Sequence, residues 1–201
     1  GNGAPPKFWS DLDLHAFEFG HSYMTAIFNA PEDPLSQAYF TSLAAKVGED
    51  RAKEILGVNR HNTIIYPSCS PHTSFQQWRV IRPLSVDRTL VEIFTFRLDG
   101  APEELLQRTF TYSNVVNSPS SIVMTDDVHV YAECQKGLAT QGGDWVSQHR
   151  NAGQDLPFSG ADGGEIGVGT SELPIRNQFR AWREYMTGDA TETISLKSSD
   201  P

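Results

Sequence analysis

Three stretches in the middle of the chain constrain its fold most. Residues 62–67 (NTIIYP), 75–82 (FQQWRVIR) and 90–98 (LVEIFTFRL) are rich in β-branched and aromatic residues, which suits a pleated, half-buried surface better than a helix. The segments between them, residues 68–74 and 83–87, carry turn chemistry and are too short for a crossover helix. Consecutive strands must therefore run antiparallel. In the third, Leu90, Phe94, Phe96 and Leu98 face one side and Val91, Ile93 and Thr95 the other. Both faces then need at least partial cover, and helices are expected to pack on this sheet.

Helical stretches flank it. Residues 36–56 predict one packing helix, with Ala38, Leu43, Ala44, Val47 and Leu56 apolar and Gly57 at its end. Ala101-Pro102-Glu103-Glu104 opens a second, with proline and acids in the first turn. Ser118-Pro119-Ser120-Ser121 breaks it, after which a helical arm resumes to Leu138. Residues 173–186 predict a closing amphipathic helix whose stripe is Ile175, Phe179, Trp182 and Met186. Ahead of the sheet, residues 14–28 contain Gly20 and predict two short strands or one bent strand, followed by a proline-punctuated loop over residues 29–35. Residues 141–170 are rich in glycine. No strand leads into these glycines and no Lys-Ser/Thr follows, so a surface loop is expected rather than a phosphate cradle.

With 201 residues the chain suits one domain with one sizeable core. A net charge of −9 with no basic aromatic patch argues against nucleic acid and against an anionic membrane surface. No apolar run reaches the roughly 18 residues of a membrane span, and residues 1–30 lack a signal-peptide pattern. A soluble cytoplasmic protein is expected. Cys69 and Cys134 form no CxxC motif, and both are expected in the core.

The chemistry-bearing feature is Asp126-Asp127 within residues 125–138. At a helical pitch Asp127, Val130, Tyr131, Cys134 and Leu138 share one stripe, while Asp126, His129, Glu133 and Lys136 lie opposite. A carboxylate on an apolar stripe calls for a positive or hydrogen-bonding partner, and a metal ion is one candidate. The plain alternative is helix capping by Thr125, Asp126 and Asp127.

Taken in order, residues 62–67, Trp78-Arg79-Val80-Ile81-Arg82-Pro83-Leu84-Ser85-Val86-Asp87-Arg88-Thr89-Leu90-Val91-Glu92-Ile93, and Asp126-Asp127 followed by Glu133-x-Gln135-Lys136-Gly137-Leu138 resemble the catalytic domain of Rieske-type aromatic-ring-hydroxylating oxygenase large subunits. The likeness spans roughly residues 14–187, and residues 79–87 lean toward the benzoate- and salicylate-like branch. It implies an α+β helix-grip fold, a twisted antiparallel sheet with packed helices. It also implies a partial catalytic domain over residues 1–187 with a polar tail at 188–201.

The family's chemistry uses a mononuclear non-haem iron held by two histidines and one carboxylate. The resemblance implies that Asp127 is that carboxylate and that Asp126 remains an exposed cap. The family's helix with both histidines, and the Cys-x-His…Cys-x-x-His signature of the Rieske [2Fe-2S] domain, have no counterpart in this sequence. The chain is therefore expected to be the C-terminal part of a large subunit, inactive by itself and binding little or no Fe(2+). His15 and His21, six residues apart, are a candidate for the missing pair, but they are expected to be ordinary strand histidines.

Asn62, His72, Ile81, Asn117 and Val123 are implied to line the substrate cavity. Each also has an ordinary role available, as core, turn or backbone-satisfying residue. His61, His129 and His149 are expected to be exposed or in loops. For the intact enzyme the resemblance implies an aromatic substrate, dioxygen, NAD(P)H delivered through a reductase and sometimes a ferredoxin, a possible small β subunit, and oligomerisation. A Rieske-type monooxygenase or O-demethylase, and a non-enzymatic helix-grip carrier of hydrophobic ligands, are the rival expectations.

Overall fold

The computed structural model describes residues 6–25, 33–58, 60–72, 75–140, 142–143, 145–160 and 163–188. After a short helix α1 (Pro6–Ser10), strands β1 (Asp13–Ala16) and β2 (Ser22–Thr25) pair antiparallel across a 3-10 turn at Glu18–Gly20. This is the two-strand form of the predicted alternatives. Gly20 takes φ +83°, and a Cβ there would sit 2.9 Å from the Tyr66 ring, so the turn closes only around glycine. The proline-punctuated loop falls mostly outside the described residues, as does the polar tail beyond Gly188.

The single helix expected over residues 36–56 is two, α2 (Pro34–Val47) and α3 (Glu49–Leu56). Gly48, at φ +88°, separates them, because a left-handed residue ends one helical hydrogen-bond run before the next begins. Asp33 caps α2, accepting from Leu35 N (3.0 Å) and Ser36 N (3.2 Å). The Ser36 hydroxyl first, and Arg108 after it, lower the Asp33 carboxyl to about 2. Through Arg108 this cap also ties α2 to helix α4 (Glu103–Asn117).

Strands β3 (Arg60–Ile64), β5 (Gln77–Ser85) and β6 (Arg88–Thr95) fall on the expected stretches, while β4 (Cys69–His72) is a further strand inside residues 68–74, expected to be a turn; all run antiparallel to their neighbours. A bridge between Ile65 and Cys69 links β3 to β4. Helix α4 leads through Ser118–Ser121 into α5 (Ile122–Leu138). Two strands lie in the region expected to be only loop: β7 (Leu156–Pro157) and β8 (Glu165–Val168). β8 pairs with β1, giving the order β3-β2-β1-β8-β7 beside the β4-β5-β6 sheet. The closing helix α6 (Leu173–Thr187) packs on β1 and the 3-10 turn.

The core sits where α6 meets β1. Leu12, Leu14, Ala16, Leu173 and Ala181 are buried there, and Asn177 donates to the carbonyls of Phe17 (2.9 Å) and His21 (3.1 Å). Those two bonds decide the helix orientation. The inward residues are Leu173, Asn177 and Ala181, so the predicted inward stripe is corrected: Phe179 is 56% and Trp182 53% exposed, and Ile175 and Met186 are exposed too. Cover of the β5–β6 face that carries Trp78, Leu90 and Phe94 is partial, each being about half exposed. Cys134 is exposed rather than in the core, and Cys69 is half-buried.

Candidate substrate-binding site

β4, β5 and β6 bring a polar group of side chains to one face. The register sets His72 opposite Gln77, Gln77 opposite Thr95, Arg79 opposite Ile93 and Ile81 opposite Val91. Alternation then puts His72, Gln77, Arg79 and Ile81 on the same side. Helix α4 lies against this side. Its Thr109 hydroxyl bonds Gln76 Oε1 (2.5 Å) and the Leu105 carbonyl (3.1 Å), and Tyr112, one turn further along, stacks on Phe75 at 3.6 Å. His72 packs edge-on to His61 at 4.4 Å between ring centroids and lies 4.7 Å from Phe75. His61 is thus half-buried in the cluster, not an exposed or loop residue as expected.

The electrostatics follow from burial. His72 is 6% exposed, and desolvation, reinforced by His61 and Arg79, lowers its pKa to about 4. His61 is lowered by burial and then by Arg79, while burial raises the Tyr112 phenol. Near neutral pH both imidazoles are therefore uncharged, and Arg79 is the positive charge of the cluster. Among the described residues no carboxylate pairs with it.

Several buried atoms of these side chains have no hydrogen-bond partner among the described residues. Gln77 is 0% exposed, yet neither its Nε2 nor its Oε1 has a partner, and the same holds for His72 Nδ1, Arg79 Nε and Asn117 Oδ1. A buried polar atom left so costs about 1–3 kcal/mol. Such a concentration marks a binding face better than a structural one.

The predicted site residues are distributed unevenly around it. His72 and Ile81 share the face just described. Asn117 ends α4, its Nδ2 donating weakly to Ser113 Oγ (3.4 Å). Asn62, at φ +45°, is exposed on β3, and Val123 is exposed in the first turn of α5. Sequence reasoning missed Arg79, Gln77, His61 and Tyr112. The signal for Arg79 and Gln77 was present as the alternation Gln77-x-Arg79-x-Ile81 across a turn from His72.

Asp127 is not inward. No residue of α5 is buried, and the stripe it shares with Val130, Tyr131 and Leu138 is open, Tyr131 being 66% exposed. The helix packs against α4, and Gln135 Nε2 bonds the Val86 carbonyl (3.4 Å) at the β5–β6 turn, but among the described residues the stripe stays open. The capping alternative is corrected as well. Ser121 caps α5, accepting from Val123 N (3.1 Å) and Met124 N (3.3 Å), and this places Asp126 and Asp127 past the cap. His15 and His21 do not pair. His15 stacks on Tyr23 (4.6 Å) with Phe158 edge-on (4.8 Å), while His21 Nδ1 accepts from Tyr66 N (3.0 Å). Among the described residues no three His, Cys, Asp or Glu side chains converge as a metal site.

A separate open cleft of about 500 Å³ lies beside Trp9, Arg150, Glu172 and Ile175. Its charged groups already satisfy one another, Arg150 bonding Glu172 at 3.1 Å. It contains none of the predicted residues, and the polar cluster on β4 and β5 is the better candidate.

No family model matches the chain. It is 32% identical over 182 residues, 86% of its length, to a toluate 1,2-dioxygenase α subunit of Pseudomonas putida. It is likewise 32% identical over 149 residues, 72% of its length, to a 2-halobenzoate 1,2-dioxygenase large subunit of Burkholderia cepacia. The chain spans 39% and 32% of these two relatives. Its fold matches a solved naphthalene 1,2-dioxygenase with indole bound, at a TM-score of 0.70 and 18% identity, over 92% of this chain and 44% of that one. By sequence and by fold the chain belongs to the aromatic-ring-hydroxylating dioxygenase large-subunit family, as a portion of its catalytic domain.

Proposed function

We propose that this chain is the catalytic-domain portion of an oxidoreductase that adds dioxygen to an aromatic acid at a mononuclear non-haem iron. The observation that supports it most is the 32% identity to a toluate dioxygenase large subunit over 86% of the chain. The second relative is named for another aromatic acid, 2-halobenzoate. The described residues do not form an iron site by themselves. Asp127 is the one ligand the chain contributes, with two histidines supplied from outside these 201 residues. Its exposure on an open helix face leaves the carboxylate accessible to a metal.

When bound, the iron supplies dioxygen activation; the chain's own part is to hold the ring and exclude water. His72, Ile81, Asn117, Asn62 and Val123 line the substrate cavity in this proposal. Electrons come from NAD(P)H through a reductase, with or without a ferredoxin, and a Rieske [2Fe-2S] domain. The working enzyme is a cytoplasmic oligomer, with or without a small β subunit.

Product analysis tests the reaction class. The complete oxygenase carrying this chain, given toluate, NADH and its reductase, is expected to release a cis-diol. A phenol, or formaldehyde from a methoxylated acid, would mark a monooxygenase or O-demethylase instead, and no oxygenated product at all would contradict the assignment.

A further inference from the structure

The inner face of β5 changes character along its length. At one end stand Gln77 and, across from it, His72 and Thr95; next comes Arg79, opposite Ile93; then Ile81, opposite Val91. Each two-residue step is roughly 7 Å, on the scale of one aromatic ring. A charge without a counterion therefore adjoins polar atoms without partners on one side and an aliphatic surface on the other.

We propose that Arg79, flanked by His72 Nδ1 and the Gln77 amide, holds the carboxylate of an aromatic acid whose ring lies over Ile81, Ile93 and Val91. The inference rests on the aromatic-acid reading of the function and names the residue that selects the acid. Each part of such a ligand has a complement. A guanidinium recognises a carboxylate through charge-assisted hydrogen bonds, and Arg79 has a buried Nε with no acceptor among the described residues. The Gln77 amide and the uncharged His72 imidazole add neutral hydrogen-bonding groups beside it. The aliphatic residues one and two steps on suit an uncharged ring and not a second charge. A small anion without a ring would leave that surface unused.

Binding to the full 201-residue chain tests this without requiring iron. Benzoate, benzamide and acetate are titrated at pH 8 and followed by calorimetry and by the NMR signal of the Arg79 Nε–H. Benzoate is expected to bind at least about tenfold more tightly than benzamide or acetate and to shift the Arg79 signal. Arg79→Met should abolish the preference for benzoate over benzamide, and Arg79→Lys, which keeps the charge but not the fork, should retain part of it. Thermal melts of both variants establish that they fold, with Arg79→Lys serving if Arg79→Met does not.

The proposal is overturned if benzoate does not bind, if benzamide or acetate binds as well as benzoate, or if the preference survives in Arg79→Met. Its fate is separable from that of the oxygenase. Arg79-dependent benzoate binding without a cis-diol from the complete enzyme would sink the reaction alone, while a cis-diol formed equally by the Arg79→Met oxygenase would sink the carboxylate site alone.

Discussion

The two sheets, at one end of the fold and the other, treat enclosed polar groups in opposite ways. Where α6 meets β1, the polar groups that α6 brings to the interior are matched, although the buried His15 Nδ1 on β1 has no partner among the described residues. Arg176 donates to the carbonyls of Gln148 (3.1 Å) and Arg150 (3.0 Å), pairs with Asp155 and bonds Ser171, which also donates to Asp155 (3.0 Å). Asn177 satisfies two loop carbonyls. Between β4, β5 and α4 several enclosed polar atoms are unmatched: the Gln77 amide, His72 Nδ1, Arg79 Nε and Asn117 Oδ1 have no hydrogen-bond partner among the described residues. The first end is organised for stability. The second carries a stability cost that a polar ligand could relieve, as binding faces do.

The contrast breaks most sharply at Asp155. Its ion pair with Arg176 is largely buried, so Asp155→Ala, which leaves the guanidinium without its carboxylate, should cost about 3–5 kcal/mol in urea unfolding. A loss below about 1 kcal/mol would show that this end is not held by its polar network.

A pH titration of stability probes the other end. His72 has a folded pKa of about 4 against an ordinary 6.5. The unfolded chain therefore takes up its proton first, and stability falls as pH drops from about 6.5 toward 4. The shift corresponds to on the order of 2–3 kcal/mol after allowance for solvent screening. His72→Gln should remove that part of the pH dependence; an unchanged profile would place His72 in a wetter setting than described.

Gln77 sharpens the comparison in the reverse direction. Gln77→Met keeps the volume and removes two unmatched polar atoms, so it should raise stability by about 1–2 kcal/mol, whereas a satisfied glutamine would give a loss. The smallest effect belongs to the outer side of α6. Phe179→Ala should change the unfolding free energy by less than about 1 kcal/mol, since that side is exposed and Leu173, Asn177 and Ala181 do the packing. A larger loss would restore the apolar stripe as the inward one.

These differences also explain what the sequence could and could not tell. Strands β3, β5 and β6 and the antiparallel β5–β6 pair were legible because of their apolar content and the short turn at residues 83–87, but β4, inside the stretch read as a turn, was not, and it is β4 rather than β3 that pairs with β5. Strand β8 was not, because Glu165-Ile166-Gly167-Val168 is brief and glycine-containing and becomes a strand only by pairing with β1. The orientation of α6 was hidden for a related reason: hydrophobicity picks out Ile175, Phe179 and Trp182, but the two carbonyls reached by Asn177 decide the matter. In sequence Ser121 looks like part of a break; in the structure it is the cap that places Asp127 in the body of α5. His72 was singled out for its polarity at the right place, yet Arg79 beside it was not, since a charge within a strand usually faces water and only the register with β4 shows that it does not.

The proposal of an iron-dependent dioxygenase rests on the Asp126-Asp127 pair, two adjacent exposed carboxylates to which different roles are given. The decisive measurement is the iron content of the complete oxygenase with Asp126→Ala and with Asp127→Ala, read by metal analysis beside cis-diol formation. The account predicts that Asp127→Ala loses both iron and product while Asp126→Ala keeps both; an Asp127→Ala enzyme that retains stoichiometric iron and still forms the diol would contradict it.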